Sequence, residues 1–199
     1  MKKTNSLALL EQLQADTRQM MVFASFLQHE EEATLLQQPK PGSWSVAQVL
    51  EHLNSYGKYY LPAIQKVLLN NTSAARETFT PGWLGNYFTN LMKPGSQGIK
   101  NKMRAPKDHV PIAALNVKEV MSVFLQQQQH MLQLLEQAKT ANIEQLRVPI
   151  SLAKFIRLKL GDTFGFLIAH QQRHFVQVEN VLRELNKVSD KYPVIRLVA

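Results

Sequence analysis

Cysteine is absent from the 199-residue chain. That excludes disulfides, thiolate metal sites, a cysteine nucleophile and iron–sulfur clusters. Any metal must be held by histidine, aspartate or glutamate, and any reactive sulfur must come from another molecule. Long apolar runs are absent too, since no stretch approaches the roughly 18 residues of a membrane-spanning helix. Met1-Lys2-Lys3 has the look of a signal-peptide start, but the apolar run Leu7 to Leu10 stops at Glu11-Gln12. A secretory core needs roughly 7–15 apolar residues, so a cytoplasmic protein is expected. Acidic residues are outnumbered, with 15 Asp and Glu against 23 Lys and Arg and a formal charge of +8, which leaves anionic partners open. With 45% apolar and 19% charged residues the chain can build a packed core and is not disordered. Its length suits one domain spanning 1–199.

Four long segments carry helical periodicity, and no window alternates convincingly as a strand. The first runs over about 6–36, with Leu9, Leu10, Leu13, Met20, Phe23 and Leu27 at three- and four-residue steps. Glu30, Glu31 and Glu32 near its end oppose the helix dipole, so its last turns should fray before Pro39 and Pro41 stop it. Ser45 with Gln48 predicts a capping box for a second helix reaching about residue 69, with Pro62 expected to kink it. Residues 70–116 read as a long loop holding Gly82, Gly85, Gly95, Gly98 and four prolines, with one short helix near 83–92. Loops of that length tend to be functional or mobile. Asn116 starts a third helix, with Glu119 in the reciprocal capping position, and Gln126 to Gln129 on it read as solvated helix-formers. Asp162 or Thr163 is expected to cap a fourth. A short tail, 189–199, carries Val194-Ile195 and Leu197-Val198, which are expected to dock. The fold class is therefore all-α, a four-helix bundle with long crossover connections and a core over about 5–187.

Of the six histidines, His29 and His130 suit surface positions, and His109, between Pro106 and Pro111, has no partner by sequence. His170 and His174 stand apart because an i, i+4 spacing puts both imidazoles on one helix face, as two ligands of one metal require. His52, at the edge of the inward face of the second helix, can complete an open three-histidine site. Spacing alone leaves both a ligand and an ordinary core histidine open for His52. Gln48 and Tyr56, one turn away on either side, are candidates to orient it. No general base is identifiable; Glu51 adjoins His52 in sequence but points off around the helix.

Gly42-Ser-Trp-Ser-Val-Ala-Gln-Val-Leu-Glu-His52 and Ala169-His170-Gln-Gln-Arg-His174-Phe-Val-Gln-Val resemble the second-helix and last-helix motifs of the DinB/YfiT-like superfamily. Lys102-Met-Arg-Ala-Pro106 and Pro111 resemble its basic connection ahead of the third helix. The resemblance implies a DinB-like four-helix bundle in which His52, His170 and His174 hold one divalent metal, with zinc or nickel suiting imidazole ligands. It also implies a metal-dependent enzyme. Relatives include transferases that use low-molecular-weight thiols such as bacillithiol or mycothiol, and a maleylpyruvate isomerase. A homodimer follows from family habit.

The expected function is thus a thiol-dependent transferase acting on a small, anionic molecule, the basic loops attracting the carboxylates of such thiols. The alternative within the same class is a hydrolase that uses metal-bound water. A reading of another class is a non-catalytic module whose basic stretches, 93–107 and 147–159, hold anionic partners. Nucleic acid is disfavoured there, because the basic residues sit in loops with no interleaved aromatics or recognition helix.

Overall fold

The computed structural model describes residues 2–95, 98–99 and 103–186. The tail 189–199, with its expected docking, lies outside the described residues, as do Lys100, Lys102 and the side chain of Lys154. Four long helices, α1 (Ser6–Leu27), α3 (Val46–Leu69), α5 (Val117–Ala138) and α6 (Leu160–Glu184), form the bundle, with short α2 (Glu32–Leu36) and α4 (Trp83–Met92) on its connections. Both α1 and α3 pack against α5 and α6. The first two bundle helices therefore sit diagonally, as do the last two, and the chain must cross over between them. Phe23, Phe124, Phe164 and Phe175 fill the centre.

Local chemistry explains the boundaries. Both arms of the capping box are present at α3: Ser45 Oγ accepts from Gln48 N–H (3.3 Å) and Gln48 Oε1 accepts from Ser45 N–H (3.0 Å). Asn116 caps α5 by accepting from Glu119 N–H. The helix α3 continues through Pro62 to Leu69. The expected single helix over 6–36 is instead broken after Leu27. The break moves the three glutamates off a helix C-terminus and puts Glu32 in the first turn of α2, where the dipole favours it.

Two further differences arise around α6. The helix begins at Leu160, so neither Asp162 nor Thr163 caps it. Asp162 instead accepts from Gly82 N–H at 2.8 Å and so pins the start of α4 to α6. Gly85 of α4 lies flat on Asp162, where any Cβ would overlap the carboxylate. Although no window alternates convincingly as a strand, residues 147–159 fold into an antiparallel hairpin of β3 (Arg147–Ile150) and β4 (Ala153–Lys159). A two-residue pair, β1 (Thr4–Asn5) with β2 (Thr78–Phe79), ties the start of the chain to the long connection. Val148 and Leu158 point into the core, but Pro149 and the exposed Phe155 interrupt the alternation that would mark a strand in sequence. No helix among the described residues is long and apolar enough to cross a membrane.

Candidate metal centre

Helices α3 and α6 bring His52, His170 and His174 together, with one nitrogen of each lying within 4.8 Å of the other two. His170 is the hub: its Nε2 stands 3.2 Å from Nε2 of His52 and 3.0 Å from Nε2 of His174. A tetrahedral centre with Zn–N of about 2.0–2.1 Å spaces its nitrogens roughly 3.3 Å apart, so the cluster has the dimensions of a metal site. Among the described residues no carboxylate joins the group.

Hydrogen bonds set the tautomers. His52 Nδ1–H donates to the His109 carbonyl at 2.7 Å, which leaves a lone pair on Nε2 aimed at the cluster. His174 Nδ1–H donates to Gln177 Oε1 at 2.9 Å, with the same consequence. Three imidazoles cannot share this space as cations. Burial holds His52 down to about 4, and burial followed by the charge of His52 holds His174 down to about 3. Burial and then the neighbouring His174, His52 and His109 hold His170 well below its usual range. The geometry therefore groups nitrogens of three neutral imidazoles at spacings that suit one shared divalent cation.

A second layer fixes the first. His109, on a single 3-10 turn at 107–109, is buried. Its Nδ1–H donates to Ser55 Oγ at 2.8 Å, and Ser55 Oγ–H donates to the His52 carbonyl at 2.6 Å. With the His52 to His109 bond, this closes a ring that locks the long connection onto α3. The β3–β4 turn adds Ser151 Oγ–H to His109 Nε2 at 3.3 Å. Tyr56 stacks on His109 (ring centroids 3.9 Å apart) and lies 4.4 Å from the His170 ring. Burial, reinforced by Tyr60, raises its hydroxyl to about 12, so it stays neutral. Trp44 covers His52 at 5.0 Å and His174 at 6.4 Å. His52 and His170 are buried, whereas His174 is partly open.

Gln48 makes no hydrogen bond to His52 among those observed; its amide serves the α3 cap and also bonds Gln38 and Ile112. Tyr56 sits against the histidines as an aromatic wall, with no hydrogen bond to His52 among those observed. His109 and Ser55 are the groups that sequence reasoning missed. His109 acts through its backbone carbonyl, which leaves no trace in residue identity. The only signal was its place in the long connection, expected to be functional or mobile. Trp83, at the start of α4, is 75% exposed and is not held in the core. In the basic stretches, Arg147 donates to the carbonyls of Glu144, Gln145 and Leu146, and Lys159 pairs with Glu144 at 3.3 Å.

The depressed histidines make the metal-free protein acid-sensitive. An unfolded histidine takes up its proton near 6.5, while folded His52 resists protonation down to about 4. Stability is therefore complete above about pH 6.5 and is lost as the pH falls toward 4, by on the order of 3 kcal/mol from His52 alone. Urea midpoints of chelator-stripped protein should fall across that window, and less steeply in His52→Gln. Equal slopes in the two proteins would contradict the burial of these groups as neutral imidazoles.

Among solved structures, the chain is similar to YfiT from Bacillus subtilis, described as "a probable metal-dependent hydrolase with an unusual four-helix bundle topology". The two are 16% identical, with a TM-score of 0.48 over 91% of this chain and 86% of that one. No curated protein matches the sequence. The sequence does match the DinB superfamily over residues 8–178, and with that match covering most of its length the chain belongs to the DinB superfamily.

Proposed function

We propose that this protein is a metal-dependent enzyme in which His52, His170 and His174 hold one divalent ion, zinc or nickel, for a reaction on a small molecule. The observation that carries this is the grouping of three neutral imidazole nitrogens with, among the described residues, no carboxylate beside them. When bound, such an ion keeps its full charge and makes a coordinated thiol or water nucleophilic near neutral pH. The chain's own groups do the rest. The His109 carbonyl and Gln177 fix the ring orientation of two ligands. Trp44 and Tyr56 shield the centre on its aromatic sides, and His174 is the partly open ligand.

Among such reactions we favour transfer of an external low-molecular-weight thiol to an electrophile. Support comes from the family resemblance, from the absence of cysteine, and from a charge of +8 that attracts carboxylate-bearing thiols. In that reaction a carbon–sulfur bond forms, the bond to the leaving group breaks, and the thiol proton passes to solvent. Hydrolysis is the second reading, since the same donor set serves water.

Zinc-loaded protein incubated with a haloaromatic electrophile, with and without a carboxylated thiol, separates them. The expected result is a thioether formed only with thiol and metal, and lost in His170→Ala. A hydrolysed product in the thiol-free arm would assign hydrolysis. No metal-dependent product across a panel of electrophiles and esters would refute the enzyme.

A further inference from the structure

Behind the histidine cluster, between α3, α5 and α6, lies a cavity of about 10 Å³, measured as the room open to the centre of a water-sized sphere. Residues lining it include Tyr56, Gly57, Gln127, Gln128, His170 and Gln171. Three of these carry a buried polar atom with no hydrogen-bond partner: His170 Nδ1, Gln128 Oε1 and Gln171 Oε1. The residues are 4%, 1% and 7% exposed, so solvent outside the fold does not satisfy them. An unmet buried polar group costs about 1–3 kcal/mol, and three on residues lining one void point to a shared partner.

The chemistry of the three atoms specifies that partner. For His170 to turn the Nε2 lone pair toward His52 and His174, its Nδ1 must carry the proton and be a donor. The two glutamine oxygens are acceptors only. One donor and two acceptors are complementary to a single water, which accepts once and donates twice. The room matches as well, because about 10–15 Å³ on this measure holds one water, and buried waters make about three hydrogen bonds.

We propose that this cavity binds one structural water that accepts from His170 Nδ1–H and donates to Gln128 Oε1 and Gln171 Oε1. Gln128 and Gln171 are thereby positioning residues for the hub ligand. The water gives His170 the anchor that the His109 carbonyl gives His52 and Gln177 gives His174. Gln128, expected to be solvated, has a place in the core for this reason. Gly57 contributes by lacking a side chain, since a Cβ there would overlap the end of Gln127, which spans to the Asn54 carbonyl beside the cavity. The inference rests on the proposed metal site for the donor role of His170 Nδ1; the cavity and the three unmatched atoms stand without it.

A high-resolution crystal structure of the unmodified full chain tests the water directly. Ordered density within hydrogen-bond distance of all three atoms is expected. An empty cavity, or His170 Nδ1 bonded directly to either glutamine, would overturn the proposal. Zinc affinity, measured by chelator competition, tests the positioning role. Gln128→Leu and Gln171→Met are expected to weaken zinc by roughly 10- to 100-fold. Gln171→Glu, which keeps an acceptor oxygen, should retain binding, and so should Gln126→Leu on the exposed side of α5. Unchanged affinity in folded Gln128→Leu and Gln171→Met would remove the positioning role. Should the unmodified chain bind no zinc, the proposed function falls while the crystallographic result still decides the water.

Discussion

Replacing His170 by alanine is expected to weaken binding of zinc by roughly a hundred- to a thousandfold while leaving the helices intact. The magnitude follows from structural zinc sites, where about 10–16 kcal/mol is shared over four ligands, or roughly 2.5–4 kcal/mol each, and 1.4 kcal/mol is tenfold in affinity. His170 is the most sensitive of the three because its Nε2 is the one within 3.2 Å and 3.0 Å of the other two. His52 and His174 alone would be left as a two-point clamp from different helices. Chelator competition on the alanine variant, with circular dichroism to verify folding, provides the measurement. His130→Ala, half-buried on α5 and away from the cluster, is the control and should bind normally. A His170→Ala protein that binds within threefold of the parent would break the account of the site.

Phe175→Ala should destabilise the fold by about 3–5 kcal/mol, a large part of the roughly 5–15 kcal/mol available to a domain. The ring is fully buried, edge-on to Phe23 of α1 at 5.5 Å and tilted against Phe124 of α5 at 5.6 Å. It thus joins three of the four bundle helices one residue away from His174. Deleting it leaves a cavity that close-packed helices cannot fill without shifting α6, and with it two of the three histidines. Urea unfolding should show the loss as a lower midpoint. Phe155→Ala, on a ring 88% exposed, should stay within about 0.5 kcal/mol of the parent. Equal midpoints for the two variants would contradict the packing described.

What the sequence revealed, and what it hid, follow from range. The paired His170 and His174 were legible because one helix turn fixes their relation without any tertiary contact. The capping boundary at Ser45 and the inward stripe of α3 were legible for the same local reason. His109 was not, because it reaches the site through a crossover and offers a carbonyl that any residue carries. Gln128 illustrates a signal that was present but overruled: it falls four residues after Phe124 and three before Met131, on the buried stripe of α5. Its polarity, and its place in a run of glutamines, pointed to solvent instead. The hairpin over 147–159 was hidden by Pro149 and by the outward Phe155. The break in the first helix was foreshadowed by Glu30 to Glu32, whose charges were expected to fray it and in fact restart it as α2.

The most direct test of the central claim is the divalent-metal content of untagged protein, stripped with chelator, reloaded with zinc and freed of excess. The account predicts one ion per chain, and none retained when His52, His170 and His174 are all replaced by alanine. A parent chain that takes up no ion, or a triple variant that retains a full equivalent, would show that the three imidazoles are core residues and not a metal site.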